Sequence, residues 1–132
     1  MKKIGILGGI SYTSTLRYYE YLHELHYQHR GDYYYPEIVI ESMNFQYFTD
    51  LENEGPQENY ESYILKGLQD LQAVGSDFLS MAANSPHSVL ADIRSHLAVP
   101  VLSIVDAVGR KAQSMGLKKL VLTGIRHTMK GY

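Results

Sequence analysis

Ile4-Gly5-Ile6-Leu7-Gly8-Gly9-Ile10-Ser11 stands near the start of the chain, and its reading decides the fold. A short apolar run that stops at paired glycines has the form of a buried strand. The period then changes. From Ser14 to His29 the spacing is helical, with Leu16, Tyr19 and His23 along one face, and Gly31-Asp32 stops it. Glu37 to Glu41 is a second strand, entered through Pro36. Phe45 to Leu51 reads as a short helix or loop, and Asn53-Glu54-Gly55 as a turn.

The alternation continues downstream. A helix is expected from Pro56 to Val74, with Pro56 at its first position, a stripe of Tyr60, Ile64, Leu68 and Leu71, and Gly75 just past its end. Asp77 to Met81 is a third strand. Ser85-Pro86 opens the next helix, Ser85 as N-cap, with Val89, Leu90, Ile93 and Leu97 turned inward. Val99 to Leu102 is a fourth strand. Ser103 caps a helix that ends near Met115-Gly116, with Asp106 three residues on. Lys119 to Thr123 is a fifth strand, broken by Gly124. The expected class is α/β, a mainly parallel sheet with helices on both faces. Ligands of such sheets sit beyond the C-terminal strand ends. There the loops are Gly8 to Ser14, Met43-Asn44 and Ala82 to Ser85.

Composition narrows the chemistry. The 132 residues are 45% hydrophobic and 20% charged, ordinary for one globular domain, with a formal net charge of -2. No basic excess marks a nucleic-acid binder. No apolar run approaches the ~20 residues that span a bilayer. The N-terminus reads as a strand and not as a signal peptide, so the cytoplasm is the default location. The absence of cysteine excludes disulfides, thiolate metal sites and cysteine catalysis from these 132 residues. The histidines form no metal-ligand constellation: His23 and His26 share a helix, with no acidic partner evident. The twelve tyrosines include the run Tyr33-Tyr34-Tyr35, which suits a contact surface or packed loop.

Two loops could carry chemistry. Gly8-Gly9-Ile10-Ser11 lacks the dinucleotide spacing and the P-loop lysine. Either its glycines serve only a tight turn, or its amides, Ser11 and Thr13 bind an anion at a helix N-terminus. In Ala82-Ala83-Asn84-Ser85, Ser85 is explained by capping and Asn84 less readily; His87 reads as a surface residue in the first turn rather than a base. A weak internal repeat lays Ile6 to Thr13 on Val121 to Thr128, each an apolar strand, a Gly-Ile turn, then a ring residue and threonine. Chance likeness of two strand-loop-helix units explains it as well as a second copy beginning near Lys118.

At these loops the sequence resembles the aspartate/glutamate racemase family, most of all the broad-specificity amino-acid racemases of bacteria. The resemblance is carried by Met1 to Ser11 with Ser14-Thr15 and Tyr18-Tyr19, by Ser42-Met43-Asn44-Phe45, by Ala83-Asn84-Ser85-Pro86-His87, by Ile104 to Ala107 and by Leu122 to Met129. It implies a cofactor-independent racemase in which two α/β lobes face each other and one acid/base residue from each flanks the substrate Cα. The carbanion formed there needs anion-binding loops and a dry cleft. Carried over, Ile10 and Ser11 contact the substrate, Glu52 stands where a polar substrate contact is common, and Asn84 and Ser85 hold the α-carboxylate.

The departures matter as much. The first acid/base position, Cys or Thr in the family, is Ala83, whose methyl cannot transfer a proton. The second lies in a Gly-Cys-Thr segment of the later lobe, beyond Tyr132. The resemblance thus implies one lobe, residues 1–116, with 117–132 as the start of a truncated second lobe, inactive as a racemase by itself. The expected partner is a small amino acid or dicarboxylate, with no cofactor, metal, nucleic acid or membrane. A carboxylate-binding or self-associating module, two copies pairing through the uncovered inter-lobe surface, is the alternative, and a non-functional fragment is a third.

Overall fold

The computed structural model describes residues 2–130; Gly131 and Tyr132, where the chain ends, lie outside them. Four strands form one sheet: β1 (Ile4–Gly8), β2 (Ile38–Ser42), β3 (Phe78–Met81) and β4 (Val101–Leu102). Their order is β2-β1-β3-β4, and every pairing is parallel. The central strand β1 pairs Ile4 with Ile38 on one side and with Phe78 on the other. The helices are α1 (Tyr12–Arg30), α2 (Phe45–Glu54), α3 (Gln57–Ala73), α4 (Leu90–Ile93), α5 (Ile104–Ser114) and α6 (Arg126–Lys130). The α/β class with a mainly parallel sheet is as expected.

Alternation along β1 sorts its side chains to two faces. Leu7, with Leu79 and Met81, joins Phe48 and Leu51 of α2 and Tyr60, Ile64, Leu68 and Leu71 of α3. Ile64 and Leu68 are fully buried; each such side chain contributes about 1.5–3 kcal/mol of burial free energy. Gly67 admits this packing, since a Cβ there would come 2.6 Å from Leu7 Cδ1. Ile4 and Ile6 face the other way, with Ala82, against Tyr18 and Leu22 of α1. The face of α1 turned inward is therefore Thr15, Tyr18 and Leu22. Leu16 and Tyr19, expected on one face with His23, are exposed. Tyr12, Tyr19, Tyr21 and Tyr27 of α1 turn outward.

Three local expectations are corrected. Pro56 occupies the N-cap of α3, one position outside the helix. Ser85 is not a capping residue: a 3-10 turn runs Ser85–Val89, its N-cap position is Asn84, whose side chain does not cap the turn, and the segment continues through α4 into a second 3-10 turn, Arg94–His96. Its inner face is still Val89, Leu90 and Ile93. The fifth strand is absent: among the described residues, 117–123 pairs with no strand, and Val121 is 92% exposed. An apolar β-prone run becomes a strand only beside a ladder that takes its amides and carbonyls. Of the internal repeat, the glycine turn and helix recur, and the strand does not.

Candidate functional site

Three loops meet at the C-terminal edge of the sheet. The first leaves β1 through Gly9, whose φ is +81°. A Cβ on Gly9 would lie 2.5 Å from the Met43 carbonyl oxygen and 2.6 Å from its nitrogen, so only glycine lets this loop lie against the second. The Gly9 amide donates to Thr15 Oγ1 at 3.0 Å, and the Thr15 hydroxyl donates to the Ser11 carbonyl at 3.1 Å. Ser11 Oγ accepts from the Ser14 amide at 3.4 Å, which makes Ser11 the N-cap of α1. Of the two readings of this loop, the tight turn accounts for the Gly9 amide, while Ser11 and Ser14 still line a hollow.

The second loop follows β2. The Asn44 side chain caps α2, accepting from the Tyr47 amide at 3.0 Å, and its backbone amide donates to the Tyr63 hydroxyl at 3.1 Å. The third loop, after β3, is held at both ends. The Ala82 amide donates to the Leu7 carbonyl at 2.9 Å, and the His87 amide to the Asn84 carbonyl at 2.9 Å. His87 is buried, which corrects the expected surface position. Its Nδ1 donates to the Ala83 carbonyl at 2.9 Å, and its Nε2 accepts from the Ile104 amide at 3.1 Å. That pair of roles defines the neutral tautomer. Burial, first of all, holds its pKa below the ordinary histidine value. Both ring nitrogens are occupied, so His87 fastens the loop to α5 instead of acting as a base.

Two adjoining hollows open between these loops and α6. One, of about 730 Å³, is lined by Ile10, Ser85, Glu52 and Arg126, with Phe45 and Phe48 as apolar wall. The other, of about 380 Å³, is lined by Ser11, Tyr18, Ala83, Asn84 and Thr128, among others. Ile10, Ser85 and Ile125 line both. All six residues singled out in the sequence therefore fall on this one edge: Glu52 in the first hollow, Ser11, Ala83 and Asn84 in the second, Ile10 and Ser85 in both.

Sequence reasoning missed the α2 wall and the phenol beneath it. Tyr60 is buried, and its hydroxyl donates to Glu52 Oε1 at 3.3 Å. Burial, aided by the Glu52 charge, pushes the phenol's pKa up, so it stays protonated. In the sequence Tyr60 stands only as part of an apolar stripe. Ile125 had a signal: the internal repeat aligns it with Ile10, and both line the same hollows.

Among the described residues no group of three or more His, Cys, Asp or Glu could hold a metal ion. His26 does have an acidic partner, Asp32, its Nε2 lying 2.8 Å from Oδ1. The turn that ends α1 folds Asp32 back onto the helix, a tertiary contact that the helical spacing of His23 and His26 did not reveal. No helix of the described residues is long and apolar enough to cross a membrane.

Three solved structures are similar over most of this chain. An aspartate racemase homologue from Pyrococcus horikoshii OT3 is 36% identical, with a TM-score of 0.80 over 88% of this chain and 50% of the other. A Yersinia pestis protein named for the Asp/Glu racemases is 27% identical, with a TM-score of 0.90 over 98% of this chain and 56% of the other. The aspartate racemase of Picrophilus torridus, 19% identical, shares the fold with a TM-score of 0.78, matched over 99% of this chain and 55% of its own. The chain thus spans about half the length of the structures it matches. The family model for Asp/Glu/Hydantoin racemase matches residues 7–132, nearly the whole chain. With the loops, the parallel sheet and these matches in agreement, the chain belongs to the Asp/Glu/Hydantoin racemase family.

Proposed function

We propose that these residues form the carboxylate-binding side of an amino-acid racemase site and do not racemise by themselves. The observation that carries this is the meeting of the Ile10-Ser11 loop with Ala83-Asn84-Ser85 around one hollow. Ser11, Asn84 and Ser85 offer hydroxyl and amide groups to an α-carboxylate, and Ile10 gives the site an apolar side. Ala83 occupies the position where the family resemblance puts a proton-transferring side chain. Removing a proton from Cα needs a base within hydrogen-bond reach, and His87 is engaged at both nitrogens. The ligand is a small amino acid or dicarboxylate, no cofactor takes part, and the location is the cytoplasm. Residues 1–116 are proposed as one lobe and 117–132 as the beginning of a second, with specificity nearest to the broad-specificity bacterial racemases.

The test is hydrogen–deuterium exchange at Cα of L-aspartate, L-glutamate and L-homoserine. Exchange at the buffer rate is expected with the purified chain. Exchange above it would show that another group acts as base. A second reading, self-association, draws on the apolar side chains left exposed at Val108, Met115, Leu120, Val121, Leu122 and Ile125. Light scattering across micromolar concentrations separates the two, since a strict monomer removes the assembly reading.

A further inference from the structure

The larger hollow holds a carboxylate and adjoins the hollow lined by Ser11 and Asn84. Glu52 lines it, half-buried, beside Phe45 and Phe48. The Tyr60 hydroxyl, buried below, donates to Glu52 Oε1, and Ser85 lines both hollows. Because that phenol keeps its proton, the bond it makes fixes Glu52 as an acceptor. An ionised carboxylate has only lone pairs to offer. A ligand seated by its α-carboxylate at Ser11, Asn84 and Ser85 and extending past Ser85 therefore meets an acceptor of negative charge.

We infer that Glu52 is the specificity-determining residue of this site, admitting an amino acid whose side chain ends in a neutral or cationic hydrogen-bond donor and rejecting one that ends in a carboxylate. This rests on the amino-acid-binding reading above and narrows it, excluding the dicarboxylates named there. Two like charges in a partly desolvated hollow repel, and the rejection is a difference of affinities built from that repulsion. Arg126 lines the same hollow and is the group that could oppose it. Its exposure leaves it in water, where a charge is screened, whereas Glu52 is half-buried and held by Tyr60.

The test uses an isosteric pair and a short reference ligand: L-glutamine, L-glutamate and L-alanine, titrated by NMR at millimolar concentrations into the full chain, Glu52→Gln and Arg126→Gln. L-alanine reports the carboxylate loops alone and is expected to bind all three proteins. L-glutamine is expected to bind the unaltered chain at least about tenfold more tightly than L-glutamate. In Glu52→Gln the ratio is expected to fall to about threefold or less. Equal affinities of the unaltered chain for the pair, or an unchanged ratio in Glu52→Gln, overturn the role of Glu52. A ratio that moves only in Arg126→Gln assigns the reading to that residue instead. Flat titrations with all three ligands overturn the amino-acid reading and this inference with it, whereas binding of L-alanine without discrimination overturns the inference alone.

Discussion

His87 couples the chain's chemistry to its stability. The ring takes the Ile104 amide at Nε2 only while that nitrogen is unprotonated. Burial lowers its pKa in the folded state, while the unfolded chain keeps a histidine value near ~6.5. The Ala83 and Asn84 backbone contacts and Asp106 act against that lowering, and Arg94 acts with it. Below about pH 6.5 the unfolded state binds more protons than the folded one, so stability present above that pH is lost as pH falls through the folded pKa. Urea denaturation of the unaltered chain should show this loss below pH 6.5, and His87→Gln should flatten that part of the profile. The same substitution should cost about 1–3 kcal/mol at pH 7.5, because the Ile104 amide loses its buried acceptor. A second residue tests the loop geometry. Gly9→Ala should cost about 1–3 kcal/mol or more, since φ is +81° and the Met43 backbone stands where the methyl would go. A midpoint equal to that of the unaltered chain would show that the first two loops can separate at little cost.

Elements were legible in the sequence wherever local pattern and tertiary demand agreed. In α3 the stripe of Tyr60, Ile64, Leu68 and Leu71 was visible because that helix covers the middle of the sheet, where three strands each offer apolar side chains. The same logic misread α1: Leu16, Tyr19 and His23 keep helical spacing, yet the small hydroxyl of Thr15 is what packs at the tight Gly8 turn. Spacing alone does not say which stripe a sheet will choose. The two helices therefore make opposite predictions. Ile64→Ala should cost about 2–5 kcal/mol in chemical denaturation, while Leu16→Ala should stay within about 0.5 kcal/mol. A large cost at Leu16 would mean that a further surface covers α1. The site was legible in part for a similar reason. Loop residues followed from strand ends and glycine turns, whereas the Tyr60–Glu52 bond joins two helices and leaves no local signal.

At the scale of the whole molecule, one sheet edge gathers the loops of the proposed site around a position that holds a methyl group. Inverting a stereocentre takes proton transfer at both faces of Cα, so restoring one acid/base group should restore half of the process. A thiol at position 83 would stand between the Leu7-anchored Ala82 amide and the His87-anchored carbonyl, beside a hollow lined by Ser11 and Asn84. Thiolate character there would allow it to remove a proton from one face of a bound amino acid. If none of the described residues delivers a proton to the other face, the same thiol must return one from solvent to the face it came from. Ala83→Cys should therefore raise Cα exchange of the L-enantiomer above buffer while leaving its optical rotation unchanged over the same period. Exchange with retention is the outcome that matches a single base. Loss of rotation in step with exchange would mean that a proton reaches the second face from within these 132 residues, and the two-lobed account of the site would have to be given up.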